Sequence, residues 1–266
     1  MQDASKPIWF HKEKNKSDFS ILVSTPVHSE VSIHYTQSLL EFQKKCFANN
    51  IPVAFQLMKS SLVTQGRNLC VAGFLDTDLT HMLFIDSDID FNFDSIIKMI
   101  KADKEVISIP YPLKTFNSEK VFAMMKDGKI KDHTDIQKNA LMYPLKLPNP
   151  DDIQMNQGIV EVTHVPTGSM LIKRSVFDKM IKAYPEMVIK QGSIINGKLV
   201  DKPNMWNFFD TWFDKETHTY LGEDFAFCKR WADIGGKCYA LASDYITHIG
   251  EYSYCGRLQD EFIETP

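Results

Sequence analysis

Short apolar runs alternate with helical stretches between residues 19 and 110, and this alternation constrains the fold more than any other feature. Four runs have the length and composition of strands, and three helical stretches separate them. The runs are FSILVS (19–24), VAFQLM (53–58), HMLFID (81–86) and VISIP (106–110), and the helical stretches lie near 30–49, 66–77 and 93–102. Because strands alternating with helices build parallel sheets, the sequence predicts an α/β fold with a mainly parallel sheet covered by helices on both faces.

The second half of the chain predicts a smaller and mixed part of the same sheet. Strand patterns resume and two helical patterns follow them, with paired glycines as the stop of the second helix. These segments are VEVTHV (160–165), SMLIK (169–173), RSVFDKMIKAY (174–184) and LGEDFAFCKRWADIGG (221–236). Residues 112–160 show no long helical period, so we expect an irregular excursion or small hairpins there.

Charge and length argue against several classes of protein. The chain has 30 Lys plus Arg and 34 Asp plus Glu, a net charge of −4, which argues against a domain that grips nucleic acid. Its apolar runs are far shorter than the ~20 residues of a membrane span, and its polar start does not resemble a signal peptide. Five scattered cysteines without a CxxC pair predict neither a disulfide framework nor a structural zinc, and they favour a reducing, cytoplasmic location.

The most specific motif is FIDSDIDF (84–91), in which an apolar strand runs directly into Asp86, Ser87 and Asp88. In open α/β sheets, ligands bind outside the carboxyl ends of the strands. Two acids in a turn can together face Mg²⁺, Mn²⁺ or Ca²⁺, and such an ion can neutralise a diphosphate. The alternative interpretation is a solvated acidic turn that caps the next helix.

Three other acid-rich sites fail on spacing. An EF-hand loop starting at the first acid needs Gly and Glu where the chain has Phe91 and Ile97. A phosphatase of the haloacid dehalogenase type is expected to have Thr or Val at the position where this chain has Asp90. A sugar nucleotidyltransferase would be expected to carry a Gly-rich loop after the first strand, and residues 25–28 read TPVH instead.

Two further segments carry groups that could do chemistry. Glu223 and Asp224 open a predicted helix, where the helix dipole favours acids as caps, but an acid there could also act as a general base if the helix points into a cleft. His248 follows the last predicted strand. It is either a surface or packed histidine or, as a neutral imidazole, a residue that completes a metal site begun by the acids.

Weaker signals lie around these segments. Arg67, at the start of the second helix, could contact phosphate, pair with the acidic turn or be a surface charge. Lys114 follows the fourth strand and either reaches the same cleft or is an ordinary surface lysine. A dense aromatic stretch over 206–214 is typical of core, yet in a loop it could form a stacking wall for sugar rings. The candidates for that wall are Trp206, Phe209 and Trp212.

The segments occur in a specific order along the chain. They are a first strand ending in Thr25-Pro26, GRNLCVAGF (66–74), FIDSDIDF (84–91), YPLK (111–114), TGSMLIKRSVF (167–177), LGEDFAFCKRWADIGGKCYA (221–240) and THIGEYSY (247–254). This order resembles the nucleotide-sugar glycosyltransferases of the GT-A fold, especially the soluble family-two-like enzymes of bacterial and viral sugar pathways. The resemblance extends over roughly residues 19–254.

The resemblance implies a single Rossmann-like GT-A domain over 19–254, with a nucleotide-binding half at about 19–115 and an acceptor half at about 160–254. A flexible arm over 1–18 and a tail over 255–266 would flank it. The implied activity is metal-dependent transfer of a sugar from a nucleoside-diphosphate sugar, with UDP favoured, to a hydroxyl acceptor such as a glycan. Mn²⁺ is the expected cofactor, with Mg²⁺ as the alternative.

The resemblance also implies roles for individual residues. Asp224 would be the catalytic base, and Glu223 would orient the acceptor or the donor sugar. The implied metal ligands are Asp86, Asp88 and His248, and the implied nucleotide or donor contacts are Thr25, Pro26, Arg67, Asp86, Ser87, Lys114 and Gly168.

The chain departs from the family pattern in one place. Processive synthases are expected to show Gln-x-x-Arg-Trp, where this chain has CKRW (228–231), so single transfer is expected rather than extrusion of a polymer. Both inverting and retaining courses stay open. The alternative functions are a catalytically idle module that binds sugar nucleotides and a metal-dependent phosphohydrolase or nucleotidyl enzyme.

Overall fold

The computed structural model describes residues 8–9, 17–190, 192–195, 198–200 and 204–262. Its strands are β1 (Ile8–Trp9), β2 (Ile21–Val27), β3 (Val53–Lys59), β4 (His81–Ile85), β5 (Ile89–Asp90), β6 (Val106–Ser108), β7 (Met155–Asn156), β8 (Ile159–Val162), β9 (Ser169–Lys173), β10 (Ser193–Ile195), β11 (Lys198–Val200), β12 (Trp212–Asp214), β13 (Thr219–Leu221), β14 (Cys238–Leu241), β15 (Ile246–Ile249) and β16 (Ser253–Gly256). Its α-helices are α1 (Ile33–Ala48), α2 (Val63–Leu75), α3 (Phe93–Lys101), α4 (Ser118–Lys126), α5 (His133–Ala140), α6 (Arg174–Ala183) and α7 (Glu223–Asp233), and 3₁₀ turns span Pro185–Met187 and Leu258–Glu261.

One nine-stranded sheet contains strands from both halves of the chain. Its order is β1-β3-β2-β4-β9-β6-β14-β8-β7. Strand β2 runs parallel to β3 and β4, and β14 runs parallel to β6, whereas β9 lies antiparallel between β4 and β6. The predicted α/β class is confirmed, with a mixed central sheet whose parallel pairs are β2–β3, β2–β4 and β6–β14.

Both faces of the sheet are buried, and β4 shows why. Successive side chains of a strand point to opposite faces. Met82 and Phe84 pack into the core under α2, α6 and α7, while Leu83 and Ile85 pack into the core under α1 and α3. Burying an apolar side chain of this size contributes roughly 1.5–3 kcal/mol, so an uninterrupted apolar strand is what a doubly covered sheet requires. No helix in the described part of the chain is long and apolar enough to cross a membrane.

The sheet topology gathers polar residues at one edge. Strands β2, β4 and β6 run in the same direction and end there, and the antiparallel strand β9 begins there. Asp86 follows β4, Tyr111 follows β6, and Gly168 precedes β9. The backbone N–H of Asp86 donates to the carbonyl oxygen of Gly168 at 3.0 Å. The candidate site therefore lies at the carboxyl edge of the parallel strands, as the sequence predicts.

Residues 112–160 differ from the prediction of an irregular excursion or hairpins. They contain the short helices α4 and α5 before the small β7–β8 hairpin. Side-chain caps start both helices, since Asn117 accepts from the N–H of Lys120, and Asp132 accepts from the N–H groups of Thr134 and Asp135. Each helix is only eight or nine residues long and buries little apolar surface, so neither produces a clear helical period.

The predicted chain ends also differ from the structure. Within the arm expected over 1–18, strand β1 pairs antiparallel with β3, with Trp9 opposite Ala54; residues 1–7 and 10–16 lie outside the described residues. Strand β16 crosses the predicted boundary at residue 254, and Leu258 is buried in the core. The segment after residue 254 is thus packed onto the domain through residue 262.

The end of α7 depends on close contact between the backbone and an aromatic ring. A Cβ added to Gly236 would lie 2.0 Å from Cε2 of Trp231, a buried side chain whose indole N–H donates to the carbonyl oxygen of Lys237 at 3.1 Å. Gly235, in contrast, has open space around it but a φ of +86°, which an L-residue rarely adopts. The two neighbouring glycines are therefore needed for different reasons.

We expect Gly236→Ala to destabilise the protein by roughly 1–3 kcal/mol, because a tightly packed core must shift, and to move the indole N–H resonance of Trp231. Gly235→Ala is the matched control: it should cost about 1–2 kcal/mol through backbone strain and leave that resonance in place. Thermal unfolding and ¹H–¹⁵N spectra measure both effects. A Trp231 resonance that does not move in Gly236→Ala would contradict the contact.

Candidate functional site

A buried arginine joins two acids from distant parts of the chain. Arg67 on α2 is 3% exposed. Its Nε donates to Oε1 of Glu223 at 3.1 Å, its Nη2 donates to Oδ2 of Asp86 at 3.1 Å, and its Nη1 lies 3.0 Å from Oδ1 of Asp86. Burial alone would lower the pKa of Arg67, but the two carboxylates outweigh it and raise that pKa. Of the roles open for Arg67, pairing with the acidic turn is the one observed.

Asp88 has a different set of partners. Its Oδ2 accepts from Nζ of Lys114 at 2.6 Å and lies 3.3 Å from Nε2 of His248. Burial raises the pKa of Asp88, but the hydrogen bonds from His248 and Lys114 outweigh it and lower the pKa to about 2. Asp88 therefore stays ionised throughout the physiological pH range, and both predicted neighbours, Lys114 and His248, do reach it.

A short strand pairing brings His248 to Asp88. Strand β5 pairs antiparallel with β15, with His248 opposite Ile89, and the N–H of Ile249 donates to the carbonyl oxygen of Asp88 at 2.8 Å. Nδ1 of His248 lies 2.8 Å from the carbonyl oxygen of Pro112. A carbonyl only accepts, so Nδ1 carries the hydrogen; Nε2 donates to the Asp88 carboxylate when the ring is protonated and turns a lone pair toward it when the ring is neutral. Two acceptors that face each other need a proton or a cation between them.

Asp88 and His248 are accordingly the pair that could hold a divalent cation. The other acid of the predicted pair, Asp86, directs its carboxylate toward Arg67 instead. Over the residues that the structure describes, no three His, Cys, Asp or Glu side chains gather into a group that could hold a metal. Of the three predicted ligands, Asp88 and His248 are the two whose polar atoms face each other, and carboxylate oxygen suits Mn²⁺ and Mg²⁺.

The acidic turn is anchored to α1 on its other side. The carbonyl oxygen of Ser87 accepts from the N–H of Ser32, the N-cap of α1, at 2.8 Å. Asp90 accepts from the hydroxyl of Ser38 at 2.6 Å. These bonds fix the turn between α1 and the β5–β15 pair. The side chain of Ser87 is half-buried, and its role as a donor contact stays a prediction.

Asp224 lies in the first turn of α7, as predicted. Its Oδ1 accepts from the N–H of Phe225 at 2.7 Å. Burial and, secondarily, the neighbouring charge of Glu223 raise the pKa of Asp224 to about 6. A carboxylate that titrates this close to neutrality is suited to take up a proton during a reaction.

Tyr111 lies at the centre of the site, although the sequence gives it no predicted role. Its ring meets the His248 ring edge to face at 4.8 Å between centroids. A Cβ on Gly168 would lie 2.3 Å from Cε1 of Tyr111 and 3.0 Å from Oδ2 of Asp86, so Gly168 lets the ring approach the acidic turn. Burial and then the charge of Asp86 raise the pKa of Tyr111, and the phenol keeps its proton. Its position directly after β6, in the YPLK segment, is the signal that could have identified it.

The predicted nucleoside contacts differ in what they can offer. Thr25 is fully buried, with Oγ1 2.7 Å from Oη of Tyr35, and burial raises the pKa of Tyr35 to about 12. The Thr25 side chain is therefore engaged inside the protein. Pro26 is half-buried, and the pairing of β2 with β4 ends at Ser24, so a residue without an N–H is tolerated there. Of Thr25 and Pro26, Pro26 is therefore the one we consider open to a ligand, at a part of β2 that is not paired with β4.

Of the three residues predicted to form the aromatic wall, one is fully buried and two are half-buried. Phe209 is fully buried and stacks on Phe227 at 4.5 Å, so its prediction as an acceptor residue is wrong. Trp206 stacks on Phe208 at 5.6 Å and packs against the core. Trp212 is half-buried with the cationic groups of two α7 side chains 5.1 and 5.6 Å from its ring. The alternative interpretation of this stretch, core packing, is the one that the structure supports for most of it.

Comparison with known proteins identifies no family for this chain. No family model matches the chain, and no curated protein matches it. Among solved structures that match is one described as the crystal structure of A197 from STIV, with 16% sequence identity, coverage of 87% of this chain and 86% of that chain, and a TM-score of 0.45. The function of this chain is therefore inferred from its own site.

Proposed function

We propose that this chain is a metal-dependent glycosyltransferase of the GT-A type, which transfers a sugar from a UDP-sugar to a hydroxyl group of a glycan. One observation carries the proposal: two carboxylates with opposite properties share one site. Asp88 is held ionised, with a pKa of about 2, whereas the pKa of Asp224 is raised to about 6. Groups whose surroundings push their pKa values apart in this way take different roles in acid–base chemistry.

The Asp88 side of the site suits a leaving diphosphate. Asp88 and His248 would hold Mn²⁺, which when bound supplies positive charge to the departing diphosphate. Lys114, whose ammonium group already lies at this position, adds a second positive charge within reach of the phosphates. Pro26, Ser87 and Gly168 border the nucleotide side in this proposal.

Asp224 suits proton transfer from the reacting hydroxyl of the acceptor. Asp224 takes the proton of the acceptor hydroxyl as its oxygen attacks the anomeric carbon, while the bond from that carbon to the diphosphate oxygen breaks and its electron pair leaves with the diphosphate. Glu223, held by Arg67, orients the reacting sugar beside Asp224. This mechanism inverts the anomeric configuration of the transferred sugar. If the enzyme is retaining, Asp224 does not act as the base.

The metal assignment predicts a graded loss of nucleotide binding. Asp88→Ala should weaken Mn²⁺-dependent UDP binding by at least about 100-fold, because it removes both a ligand and a charge, and His248→Ala should weaken it by about 10-fold, because it removes a neutral ligand. Isothermal titration calorimetry with and without Mn²⁺ measures this. Asp94→Ala, an exposed acid at the start of α3, is the control that should bind normally. Unchanged binding by Asp88→Ala would remove the metal assignment.

The base assignment predicts that binding and turnover separate. Asp224→Asn should keep Mn²⁺-dependent UDP affinity and the fold, because it preserves size and an oxygen that can accept from the N–H of Phe225, yet lose roughly 10²–10⁴-fold in transfer, the usual contribution of a general base. UDP release in the presence of acceptor measures turnover. Normal turnover in the variant would place the base elsewhere. Release of inorganic phosphate or pyrophosphate by the wild type would instead identify a phosphohydrolase or a nucleotidyl enzyme.

The pH profile should show the same carboxylate. Asp224 must be deprotonated to accept a proton, and its pKa is raised to about 6. The transfer rate should therefore rise about tenfold per pH unit below pH 6 and level off above about pH 7. The residual rate of Asp224→Asn should lack this acid limb. A wild-type rate that is flat between pH 5 and about pH 7 would contradict the assignment.

A further inference from the structure

Three aromatic side chains form a cluster on the surface, outside the residues given roles above. We call Phe116, Tyr252 and Tyr254 the aromatic triad. Their ring centroids lie 5.3 Å apart for Phe116 and Tyr252, 5.0 Å for Phe116 and Tyr254, and 5.3 Å for Tyr252 and Tyr254. Phe116 is 42% exposed and Tyr252 is 46% exposed. Large rings that contact one another and remain open to solvent are typical of surfaces that bind something.

The triad borders the candidate site through strand register. Tyr254 on β16 pairs directly opposite His248 on β15, and directly opposite residues of an antiparallel pair present their side chains on the same face. His248 reaches Asp88 on that face, so Tyr254 faces the same way. Phe116 follows Lys114 by two residues, and a Cβ on Gly250, in the turn between these strands, would lie 3.0 Å from Cδ of Lys114.

Strand order places the triad away from the nucleoside. Along the carboxyl edge, Pro26 on β2 lies on one side of the acidic turn, and the loop after β6, with Phe116, lies on the other. The three-stranded sheet has the order β5-β15-β16 and extends in the same direction. Strand β5 lies beside α1. At the other end, on β16, a Cβ on Gly256 would lie 3.6 Å from Pro112 in the loop after β6. A group that contacts the triad is therefore on the opposite side of Asp88 from the predicted nucleoside.

We propose that the aromatic triad is the acceptor subsite of the enzyme and that it binds one face of a pyranose ring of a neutral glycan. A pyranose has an apolar C–H face that stacks on aromatic rings, and the tyrosine hydroxyls can hydrogen-bond with its equatorial hydroxyls. The triad carries no formal charge, and one of its hydroxyls is already held by Gln137, whose Nε2 donates to Oη of Tyr252 at 3.4 Å. This inference rests on the proposed glycosyltransferase function and supplies the stacking surface that the buried Phe209 does not.

The inference predicts that triad variants lose the acceptor and keep the donor. Phe116→Ala, Tyr252→Ala and the double variant should bind UDP with Mn²⁺ as the wild type does, and should hydrolyse a UDP-sugar to water at the wild-type rate. Saturation-transfer NMR, with methyl β-D-glucopyranoside, methyl α-D-mannopyranoside, cellotriose and maltotriose as probes, should show transfer to ring C–H protons in the wild type and little in the double variant. With a glycan that accepts the sugar, KM should rise about tenfold while kcat is kept.

Phe213→Ala and Tyr220→Ala are matched controls. These aromatic residues are 55% and 64% exposed and lie opposite each other on the β12–β13 hairpin, which shares no strand with the triad. Both should bind the probe sugars normally. If neither variant set changes sugar binding, if the hairpin variants lose it instead, or if no probe shows saturation transfer in the wild type, the triad is not the acceptor subsite.

Two other results separate this inference from the proposed function. Loss of UDP affinity in the triad variants would show that the rings stack on the nucleobase, and it would overturn the acceptor subsite while leaving the transferase intact. Failure of the wild type to bind UDP with Mn²⁺ would overturn the proposed function itself. If sugar binding still depended on the triad in that case, the triad would be a sugar-binding surface only. The acceptor subsite would be overturned together with the transferase function.

Discussion

The ion pairs of the buried Arg67 guanidinium hold the candidate site together. A buried charge is tolerated only when it is paired, and removing one partner of such a group costs about 3–5 kcal/mol. Here the partners are Asp86 at the end of β4 and Glu223 at the start of α7. Because this one side chain bonds both, the half of the sheet that carries the acidic turn and the helix that carries Asp224 are held at a fixed separation.

The same pairing divides the acids of the site into two kinds. Arg67 pairs with Asp86 and Glu223, and the two remaining carboxylates then differ through their own surroundings. Hydrogen-bond donors around Asp88 keep it ionised, whereas burial beside the charge of Glu223 raises the pKa of Asp224. The difference in ionisation between Asp88 and Asp224 therefore follows from which acids Arg67 pairs with, rather than from residue type.

The sequence predicts much of this arrangement, because strand periodicity and the polar residues just after each strand are local signals. The alternation through residue 110 predicts the parallel strands, and it places Asp86 and Lys114 at one edge. The pairing of β5 with β15 is not predictable in the same way, since β5 is two residues long and carries no period, yet that pairing brings His248 to Asp88. The aromatic residues over 206–214 show a related gap, because aromatic density does not specify which face of a loop turns inward, and Phe209 turns into the core.

Strand β14 has a consequence for how the protein is made. It lies between β6 and β8, yet it comes from Cys238–Leu241, near the end of the chain. During synthesis, β6 and β8 therefore leave the ribosome before β14, and their edges that pair with β14 are still unpaired. Unpaired strand edges are sites of aggregation. The long-range contacts that close the sheet form late and slow the folding of such topologies. A nascent chain that stops short of β14 would have neither a complete sheet nor a positioned site, so both are acquired only after β14 has been made.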